Sequence, residues 1–441
     1  MTVRPPGSAA PSRRSPARRR DVAALDRAVA QVVATQNCSG CGACTRLDRG
    51  LEMRLDPAGY ARPVRTDRPA TAGPSADRTF DQICPGRRVE SPRPAGATVH
   101  PTMGPAVSAW EAWAADAEIR HRGSSGGTLT ALVAWLTETG QVTSVTGARA
   151  EPGRPQRTVS VSITSREDAL AAAGSRYGPV SAVAAADALA PGTALVGKPC
   201  EISAARGLLD AGLGGADGRD AGTSPDTAPL LLSFFCAGTP SQQATDQLVR
   251  DLGVAEGAEL RDMWYRGRGW PGHFTAELAD GSSVRTSYDE SWGQHLGKAT
   301  QWRCKICPDG VGENSDITAA DFWHTDDRGY PVFAEGDGCS ALIARTPRGH
   351  EVLTRAFAAG VLVGRPLDLD ALAAVQPLQV SRRTTLLGRL AGTRLAGRPV
   401  PRYVGFPLAR LAVRDWREAA RTARGSFGRV RRQRARTAAS R

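Results

Sequence analysis

Three cysteines at two-residue intervals constrain this chain more than any other feature of its sequence. Cys38, Cys41 and Cys44 lie in the run Cys-Ser-Gly-Cys-Gly-Ala-Cys. Thiolates at this spacing can hold three corners of a 4Fe–4S cubane, and the small residues between them let backbone N–H groups approach its inorganic sulfurs. We predict that Cys84, which Pro85 follows, supplies the fourth ligand. Zinc is the alternative, although zinc sites pair C-x2-C units and three closely spaced cysteines would crowd one tetrahedral ion.

A second group of cysteines is spread along the chain. Cys304 and Cys307 form a C-x2-C pair, which by itself is compatible with zinc, a redox dithiol or half of a cluster site. Cys200 and Cys236 each follow a short apolar run that predicts a buried strand. Because strand ends in an α/β sheet meet at one edge, these two cysteines are candidates to join the pair in a second four-cysteine cluster. The alternative is that both are ordinary buried core thiols.

A loop rich in glycine and serine opens a helix predicted at 125–139. The run Arg-Gly-Ser-Ser-Gly-Gly-Thr at 122–128 would present backbone N–H groups and the positive end of the helix dipole to a phosphate. It matches neither the Walker pattern nor the dinucleotide fingerprint, and an ordinary capped turn is the alternative. A lysine after the strand predicted at 193–197 would place one more cation beside an acidic cofactor. The predicted cofactor contacts are Arg122, Ser124, Ser125, Gly126, Gly127, Thr128 and Lys198.

The order of predicted elements indicates an α/β (α+β) fold. A helix is predicted from Asp21, as its N-cap, to Gln36, and strands alternate with helices in the later part of the chain. Asp280-Gly281 between two alternating runs predicts a hairpin. The chain is divided into a disordered basic tail at 1–20, a ferredoxin-like 4Fe–4S module at 21–90, a linker at 91–105, a mixed α/β body at 106–375 with a flexible insertion at 210–228, and a basic C-terminal extension at 376–441.

The basic character of the chain is concentrated in its two ends. The formal net charge is +13, yet residues 1–20 contain six arginines and no acid, and residues 414–441 contain ten arginines and two acids. Such ends can bind nucleic acid. No aromatic residues alternate with the N-terminal arginines to stack on bases, so we interpret both ends as solvated and partly disordered and do not expect nucleic acid as a partner.

The sequence predicts a cytoplasmic protein without a transmembrane segment. The longest apolar runs, such as residues 129–136, are far shorter than the ~20 residues that cross a bilayer. No apolar stretch follows the N-terminal arginines, which excludes a secretory signal of the usual kind. In a cytoplasmic chain, nine cysteines are more often metal-binding or catalytic than disulfide-bonded.

Seven short motifs follow one another in a characteristic order. They are SSGGTLTAL (124–132), GSRYGPV (174–180), VGKPCEI (196–202), FFCAGTPS (234–241), the C-x2-C pair (304–307), SDITAADFW (315–323) and CSALIARTPRG (339–349). Together they resemble the coenzyme F420 hydrogenase/dehydrogenase beta-subunit family, over roughly residues 38 to 358. The family also includes ferredoxin-dependent reductases that act on chlorophyll precursors.

The resemblance implies a set of cofactors and partners. It implies FAD and two 4Fe–4S clusters, with Cys200, Cys236, Cys304 and Cys307 as ligands of the second cluster and residues 122–128 near the flavin. Electrons would pass between a ferredoxin or partner subunit and coenzyme F420 or a small organic substrate, by way of the clusters and the flavin. It identifies no catalytic acid or base.

Three positions depart from the family's pattern. Lys198 stands where threonine is common before the proline, and would change the electrostatics at the flavin. Ala237 stands where the family often has histidine, which removes a candidate proton relay. Cys339 is unusual at its site, and we interpret it as a structural thiol.

The sequence leaves three functions open. The chain is predicted to be a flavin enzyme that reduces F420 or an organic substrate. The first alternative is an electron-relay subunit that needs a catalytic partner. The second is a cluster-bearing nucleic-acid-binding or regulatory protein, which the arginine-rich ends suggest.

Overall fold

The structure, a computed structural model, describes residues 16–214, 227–323 and 336–439. Most of the predicted N-terminal tail and the centre of the predicted insertion at 210–228 therefore lie outside the described residues. The first helix begins at Pro16. The predicted N-cap at Asp21 is wrong, because Asp21 lies in the second turn of this helix.

The N-terminal module is made of short elements around the first cysteines. They are α1 (Pro16–Ala34), α2 (Ala43–Leu47), β1 (Leu51–Leu55), β2 (Ala61–Arg65), α3 (Ala76–Ile83) and β3 (Arg88–Glu90). The strands β1 and β2 pair as an antiparallel hairpin. A small apolar core joins Leu25 and Val29 of α1 to Leu51 of β1 and Phe80 of α3. This core holds the helices that flank the cysteines in place.

Residues 91–105 are structured and buried at both ends, although their proline and glycine content predicts a free linker. They include β4 (Thr98–His100) and the start of β5 (Gly104–Ala106), which form an antiparallel hairpin. Met103 is fully buried. The buried Arg345 donates hydrogen bonds to the carbonyl oxygens of Met103 (2.6 Å) and Pro105 (2.7 Å). These contacts fix the connection to the body.

The body contains one large sheet, one small sheet and several helices. Its strands are β6 (Ser108–Ala114), β7 (Val145–Glu151), β8 (Arg154–Ile163), β9 (Ala194–Gly197), β10 (Leu230–Phe234), β11 (Leu260–Trp264), β12 (His273–Leu278), β13 (Ser283–Ser287), β14 (Ile317–Asp321), β15 (Ser340–Ala344) and β16 (Leu362–Pro366). Its helices are α4 (Ala117–Arg122), α5 (Thr128–Glu138), α6 (Arg166–Ala171), α7 (Pro199–Asp210), α8 (Gln242–Asp251), α9 (Trp302–Lys305), α10 (Pro347–Ala358) and α11 (Leu369–Ala374). The large sheet has the strand order β16-β6-β15-β14-β10-β9-β7-β8, and β11, β12 and β13 form the small sheet.

The centre of the large sheet is parallel and buried on both faces. The strands β7, β9, β10 and β14 run in parallel, while the outer strands pair antiparallel. Leu230 and Leu232 of β10 pack in the same cluster as α5 and α10. Leu231 points to the other face, into a cluster with α7 and the N-terminal module. Burial on both faces explains the continuous apolar run of β10, and this architecture confirms the predicted α/β class.

Most predicted elements of the body are present, with changes at their ends. The predicted hairpin is formed by β12 and β13. The helix predicted at 125–139 begins only at Thr128, because its N-cap Gly127 has a φ of 71°. Helix α10 begins at Pro347, because the Thr346 hydroxyl caps it by accepting from the N–H of Gly349 (3.1 Å).

The C-terminal extension folds against the rest of the chain, contrary to the expectation of a solvated end. It contains α12 (Pro377–Thr384), α13 (Leu386–Leu395), β17 (Arg402–Val404), α14 (Leu408–Arg414) and α15 (Trp416–Ala439). Gly388 and Gly392 let α13 lie directly against the backbone of α15 at Ala419 and Ala423. β17 pairs in parallel with β3 of the N-terminal module. Among the helices of the described ranges, none has both the length and the apolarity to span a membrane.

Candidate functional site

A cavity of about 410 Å³ opens at the carboxyl ends of the parallel strands. Its wall includes Lys198 after β9, Cys236 after β10 and Asp321 at the end of β14. Parallel strands bring such positions to one edge of the sheet, which is where ligands bind in open α/β folds. The volume lies within the range of small-molecule and cofactor sites.

The loop rich in glycine and serine, which the sequence predicts to contact a cofactor, lies on this cavity. Ser124, Ser125, Gly127 and Thr128 belong to its lining. Gly127 is the N-cap of α5, and no side chain caps this helix. Its first-turn N–H groups therefore lack a side-chain acceptor. Together with the helix dipole, they suit an anionic group such as a phosphate.

Two of the predicted contacts in this loop, Gly126 and Arg122, have structural roles. The N–H of Gly126 donates to the Ser340 hydroxyl (3.0 Å), and a Cβ here would lie 2.7 Å from the Ala112 carbonyl oxygen. Gly126 thus lets the loop pass close to β6 and β15. Arg122 donates to the Leu170 carbonyl oxygen (3.2 Å) and lies outside the described lining of the cavity.

Lys198 reaches the cavity wall, but its charge is partnered. Its Nζ donates to Glu201 Oε1 (2.7 Å) and to the Val180 carbonyl oxygen (3.0 Å). Burial lowers the pKa of Lys198, but the Glu201 carboxylate and two nearby thiols outweigh burial and hold that pKa above its usual value. The lysine therefore stays charged, and the adjacent carboxylate offsets part of the positive potential it brings to the cavity.

Arg266 gives the cavity a charged and aromatic wall. It is 2% exposed and lines the cavity. Its Nη1 donates to Asp321 Oδ2 (2.6 Å), and its Nη2 donates to the Ser124 carbonyl oxygen (2.6 Å). The guanidinium lies over the rings of Tyr288 and Trp323, 4.6 and 5.3 Å from their centroids. These contacts tie the end of β14 to the loop and surround the arginine with aromatic side chains.

The first cysteine set lies where the N-terminal module packs against the body. Cys38 and Cys41 are in the turn after α1, Cys44 is in α2, and Cys84 is the C-cap of α3. Burial raises the pKa of each of these thiols, to about 11 for Cys41. The charges of the other three raise the pKa of Cys44 further. Helix α2, which contains Cys44, contacts α3, whose C-cap is Cys84, so the four thiols lie in one small module. As thiolates they would need a cation to balance their charge.

Two glycines shape the turn between these cysteines. Gly40 and Gly42 have φ values of 78° and 90°, in the left-handed region. A Cβ at Gly42 would lie 2.8 Å from the Cβ of Ala184, and a Cβ at Gly40 would lie 3.0 Å from the Ala61 carbonyl oxygen. Glycine is therefore required at both positions by backbone conformation and by space.

The second cysteine set adjoins the cavity. Cys200 lies in the first turn of α7, Cys236 follows β10, and Cys304 and Cys307 lie in and just after α9. The N–H of Thr239 donates to Cys304 Sγ (3.4 Å). Burial raises the pKa of Cys236 to about 12, and the charges of Cys304 and Cys307 add to this effect. The structure thus brings the end of β10 to the C-x2-C pair, as the sequence predicts.

Cys200 lies on the side of the second set that faces the N-terminal module, because α7, which carries it, contacts α2 and α3. Burial is the main cause of the raised pKa of its thiol. Residues that the sequence analysis missed also link the sets. Arg62 Nη1 donates to Gln301 Oε1 (3.0 Å), and Gln301 Nε2 donates to the Ser39 carbonyl oxygen (2.9 Å). No motif in the sequence marks these two positions.

The C-terminal extension covers the second set, which the sequence analysis also missed. Arg382 of α12 donates to the carbonyl oxygens of Cys236 (2.9 Å) and Cys304 (2.5 Å). The Tyr403 hydroxyl donates to the Ile306 carbonyl oxygen (2.5 Å). Both residues precede the arginine-rich end at 414–441, and no motif in the sequence marks either position.

The donor sets suit iron–sulfur clusters in their chemistry. Each set consists of four cysteine thiols, which is the usual ligand set of a 4Fe–4S cluster. Within residues 16–214, 227–323 and 336–439, no three His, Cys, Asp or Glu side chains are grouped closely enough to hold a single metal ion. Cluster ligands need no such grouping, because their sulfurs surround a cubane. Ligation by these residues stays a prediction.

The two remaining departures from the family pattern lie near the cavity. Ala237 belongs to the cavity lining and brings no ionisable side chain there. Cys339 is buried, with its Sγ 3.6 Å from Glu111 Oε1. Burial raises the pKa of Cys339 to about 12, so the thiol is protonated near neutral pH, as an inert structural cysteine would be.

The fold and the site define an α/β protein with a cofactor-sized cavity between a helix N-terminus and a set of partly buried thiols. The family models of the coenzyme F420 hydrogenase/dehydrogenase beta subunit match this chain, the N-terminal model over residues 109–187 and the C-terminal model over residues 192–369. The two matches together cover more than half of the chain, and the chain belongs to this family. Membership supports an oxidoreductase role.

A solved structure has a similar fold. It is described as the xenon derivatization of the F420-reducing [NiFe] hydrogenase complex from Methanosarcina barkeri. The TM-score is 0.52 and the identity 23%, over 69% of this chain and 98% of the matched chain. At this identity the likeness shows the fold alone. A search of curated proteins gives no significant match.

Proposed function

We propose that the chain is an iron–sulfur flavoprotein that exchanges electrons between two 4Fe–4S clusters and coenzyme F420, or a small organic substrate, through FAD. The cavity would hold the flavin. When bound, FAD supplies the conversion between two-electron hydride transfer and one-electron transfer. The proposed cluster ligands are Cys38, Cys41, Cys44 and Cys84 in the first set and Cys200, Cys236, Cys304 and Cys307 in the second.

One observation carries this proposal: the segment after β10 takes part in both sites. Cys236 lies near Cys304 and Cys307, and residues 235–239 line the cavity. A ligand in the cavity and a cluster on the second set would therefore be close neighbours. The first set adjoins the second, since Gln301 Nε2 donates to the Ser39 carbonyl oxygen (2.9 Å) and the helices α2 and α3 contact α7, which carries Cys200. This order supports a path from the first set through the second set to the cavity.

The residues of the cavity have separate tasks in this proposal. The N-terminal turn of α5, with Ser124 and Ser125, binds the phosphate groups of the cofactor. Arg266 and the aromatic side chains around it pack the wall and exclude water. Lys198, held by Glu201, keeps one positive charge at a fixed place beside the cavity. The remaining wall combines small residues, such as Gly147 and Gly178, with aromatic ones, such as Phe235, and would pack against a planar ring.

A ferredoxin or a partner subunit is the proposed exchange partner. Cys38 is the one ligand of the first set that is only partly buried, so this set approaches the protein surface. A second candidate function is an electron-relay subunit whose substrate chemistry needs another protein. It is favoured by the similarity to a chain from a hydrogenase complex.

Electron transfer to F420 tests the proposal. The protein is reconstituted anaerobically with iron, sulfide and FAD, reduced chemically, freed of excess reductant and mixed with F420. We expect the chain alone to reduce F420, seen as loss of the absorbance of the oxidised coenzyme. The matched control is the same protein without FAD, which should transfer nothing.

The outcomes separate the candidates. The electron-relay function would be favoured if the reduced, flavin-loaded protein did not reduce F420 by itself. In that case, reduction of F420 would begin only after a partner protein is added. A protein that binds iron but no flavin would contradict the proposed function.

A further inference from the structure

Arg303 is a buried arginine situated between the two cysteine sets. It precedes Cys304 in α9, and it is 1% exposed. Its Nε and Nη2 both donate to the Pro85 carbonyl oxygen, at 3.2 and 2.9 Å. Pro85 directly follows Cys84. One guanidinium therefore joins the chain beside a cysteine of the first set to the chain beside a cysteine of the second.

The third nitrogen of this side chain lacks an acceptor. Arg303 Nη1 is buried and has no hydrogen-bond partner among the described residues. Two other fully buried arginines differ, because Arg266 and Arg345 each use all three side-chain nitrogens. A buried charged donor without an acceptor is costly and rare in native proteins. The geometry at Nη1 thus calls for an acceptor that the described part of the chain does not supply.

The position of Arg303 identifies the kind of acceptor. Its guanidinium is anchored to the carbonyl oxygen of Pro85, the residue after Cys84, and its own backbone directly precedes Cys304. The guanidinium carbon also lies 5.7 Å from the centre of the Tyr403 ring. Cys84 and Cys304, each one residue from an end of this side chain's reach, are therefore the candidates to bring an acceptor sulfur to Nη1. Sulfurs of a 4Fe–4S cluster accept hydrogen bonds, and such bonds raise the reduction potential of the cluster.

We propose that Arg303 is a positioning residue shared by the two clusters, which donates from Nη1 to a cluster or thiolate sulfur and favours the reduced state of both. The inference rests on the proposed function, since it requires the two clusters. Reduction adds one electron to each cluster. A cation fixed in the low-dielectric interior between the sets favours that added charge on either side.

Redox titration of two variants tests the inference. Arg303→Gln removes the charge. Arg303→Lys keeps the charge but loses the planar guanidinium with its several fixed N–H donors. Arg345→Gln is the matched control, because Arg345 is also fully buried and bonds backbone carbonyl oxygens. Bound iron is measured first, and the midpoint potentials of both clusters are then followed by electron paramagnetic resonance.

We expect Arg303→Gln to lower both potentials. The equilibrium constant for reduction of each cluster should fall at least tenfold. For a one-electron couple, a tenfold change lowers the midpoint potential by about 59 mV. Arg303→Lys should shift both potentials in the same direction by less, and Arg345→Gln should shift neither.

An unchanged potential at either cluster in an iron-loaded Arg303→Gln protein would overturn the inference. If this variant binds no iron, Arg303→Lys decides the matter: shifts at both clusters support the shared role, and an unchanged cluster overturns it. If Arg345→Gln shifts both potentials equally, the effect is a general consequence of losing a buried arginine, and the inference is wrong. Wild-type protein without iron would instead contradict the proposed function.

Discussion

The two cysteine sets are built in different ways. Three members of the first set lie in one seven-residue run, and two left-handed glycines turn the chain between them. The second set draws on the ends of β9 and β10 and on α9, over residues 200–307. Residues close together in sequence therefore specify most of the first set, whereas the second set forms only when the sheet is assembled.

The two sets also differ in what surrounds them. The first is enclosed by the helices of a small module with its own apolar core. The second adjoins the cavity and is covered by a C-terminal extension that reaches the backbone of Cys236 and Cys304 through Arg382. Damage to the first set should therefore stay local, and damage to the second should extend to the cavity.

Loss of one ligand from each set has the largest expected effect. Cys41→Ser and Cys304→Ser should each lower bound iron by about half, because each leaves three thiols where a cluster uses four. Cys304→Ser should also lower the flavin content, since its set adjoins the cavity, whereas Cys41→Ser should leave it unchanged. Iron, sulfide and flavin per chain are measured in anaerobically purified protein.

The matched control for these variants is Cys339→Ser. Cys339 is buried but belongs to neither set, so iron and flavin should both stay at the wild-type level. If Cys41→Ser and Cys304→Ser lose equal amounts of flavin, the proposed difference between the two sets is contradicted.

The glycine turn of the first set gives the next largest effect. Gly42→Ala should lower the free energy of unfolding by roughly 3 kcal/mol, from the left-handed backbone and from overpacking against Ala184. Gly140→Ala is the control, because Gly140 has a φ of 66° and a Cβ there meets nothing within 4 Å. It should cost about 1 kcal/mol, from the backbone alone. Urea unfolding measures both values, and equal costs would show that the contact with Ala184 does not matter.

The contact between the C-terminal extension and the second set gives the smallest effect. Arg382→Ala should lower the free energy of unfolding by roughly 2 kcal/mol, because two hydrogen bonds from a charged donor are lost. Iron of the second set should also be lost faster to a chelator. Arg394→Ala, at an exposed position of α13, should change stability by less than about 0.5 kcal/mol. Faster loss of iron from both sets alike would contradict the separation between them.

Local signals predicted a large part of the molecule. The cysteine spacing identified the first set, and the turn chemistry of Asp280-Gly281 identified the hairpin. The apolar run of β10 predicted a strand buried on both faces. The cysteine run, the hairpin turn and the apolar run are each complete within a few residues of sequence, so spacing, turn propensity and hydrophobic pattern are sufficient to predict them.

Long-range contacts explain what the sequence did not predict. Arg382 reaches the second set from a segment more than 70 residues later in the chain, and Arg303 reaches Pro85 from 218 residues away. The composition of these segments indicates a polar surface, and only the assembled fold turns them inward. The packed connection at 91–105 was missed for the same reason, since its anchor is the distant Arg345.

Two sets of thiols are proposed to hold iron next to a bound flavin. The decisive measurement is the amount of iron, acid-labile sulfide and flavin in anaerobically reconstituted protein. We expect about eight irons, about eight sulfides and about one FAD per chain, from two four-cysteine sites. Protein that retains only zinc, or that binds no flavin beside its iron, would contradict this proposal.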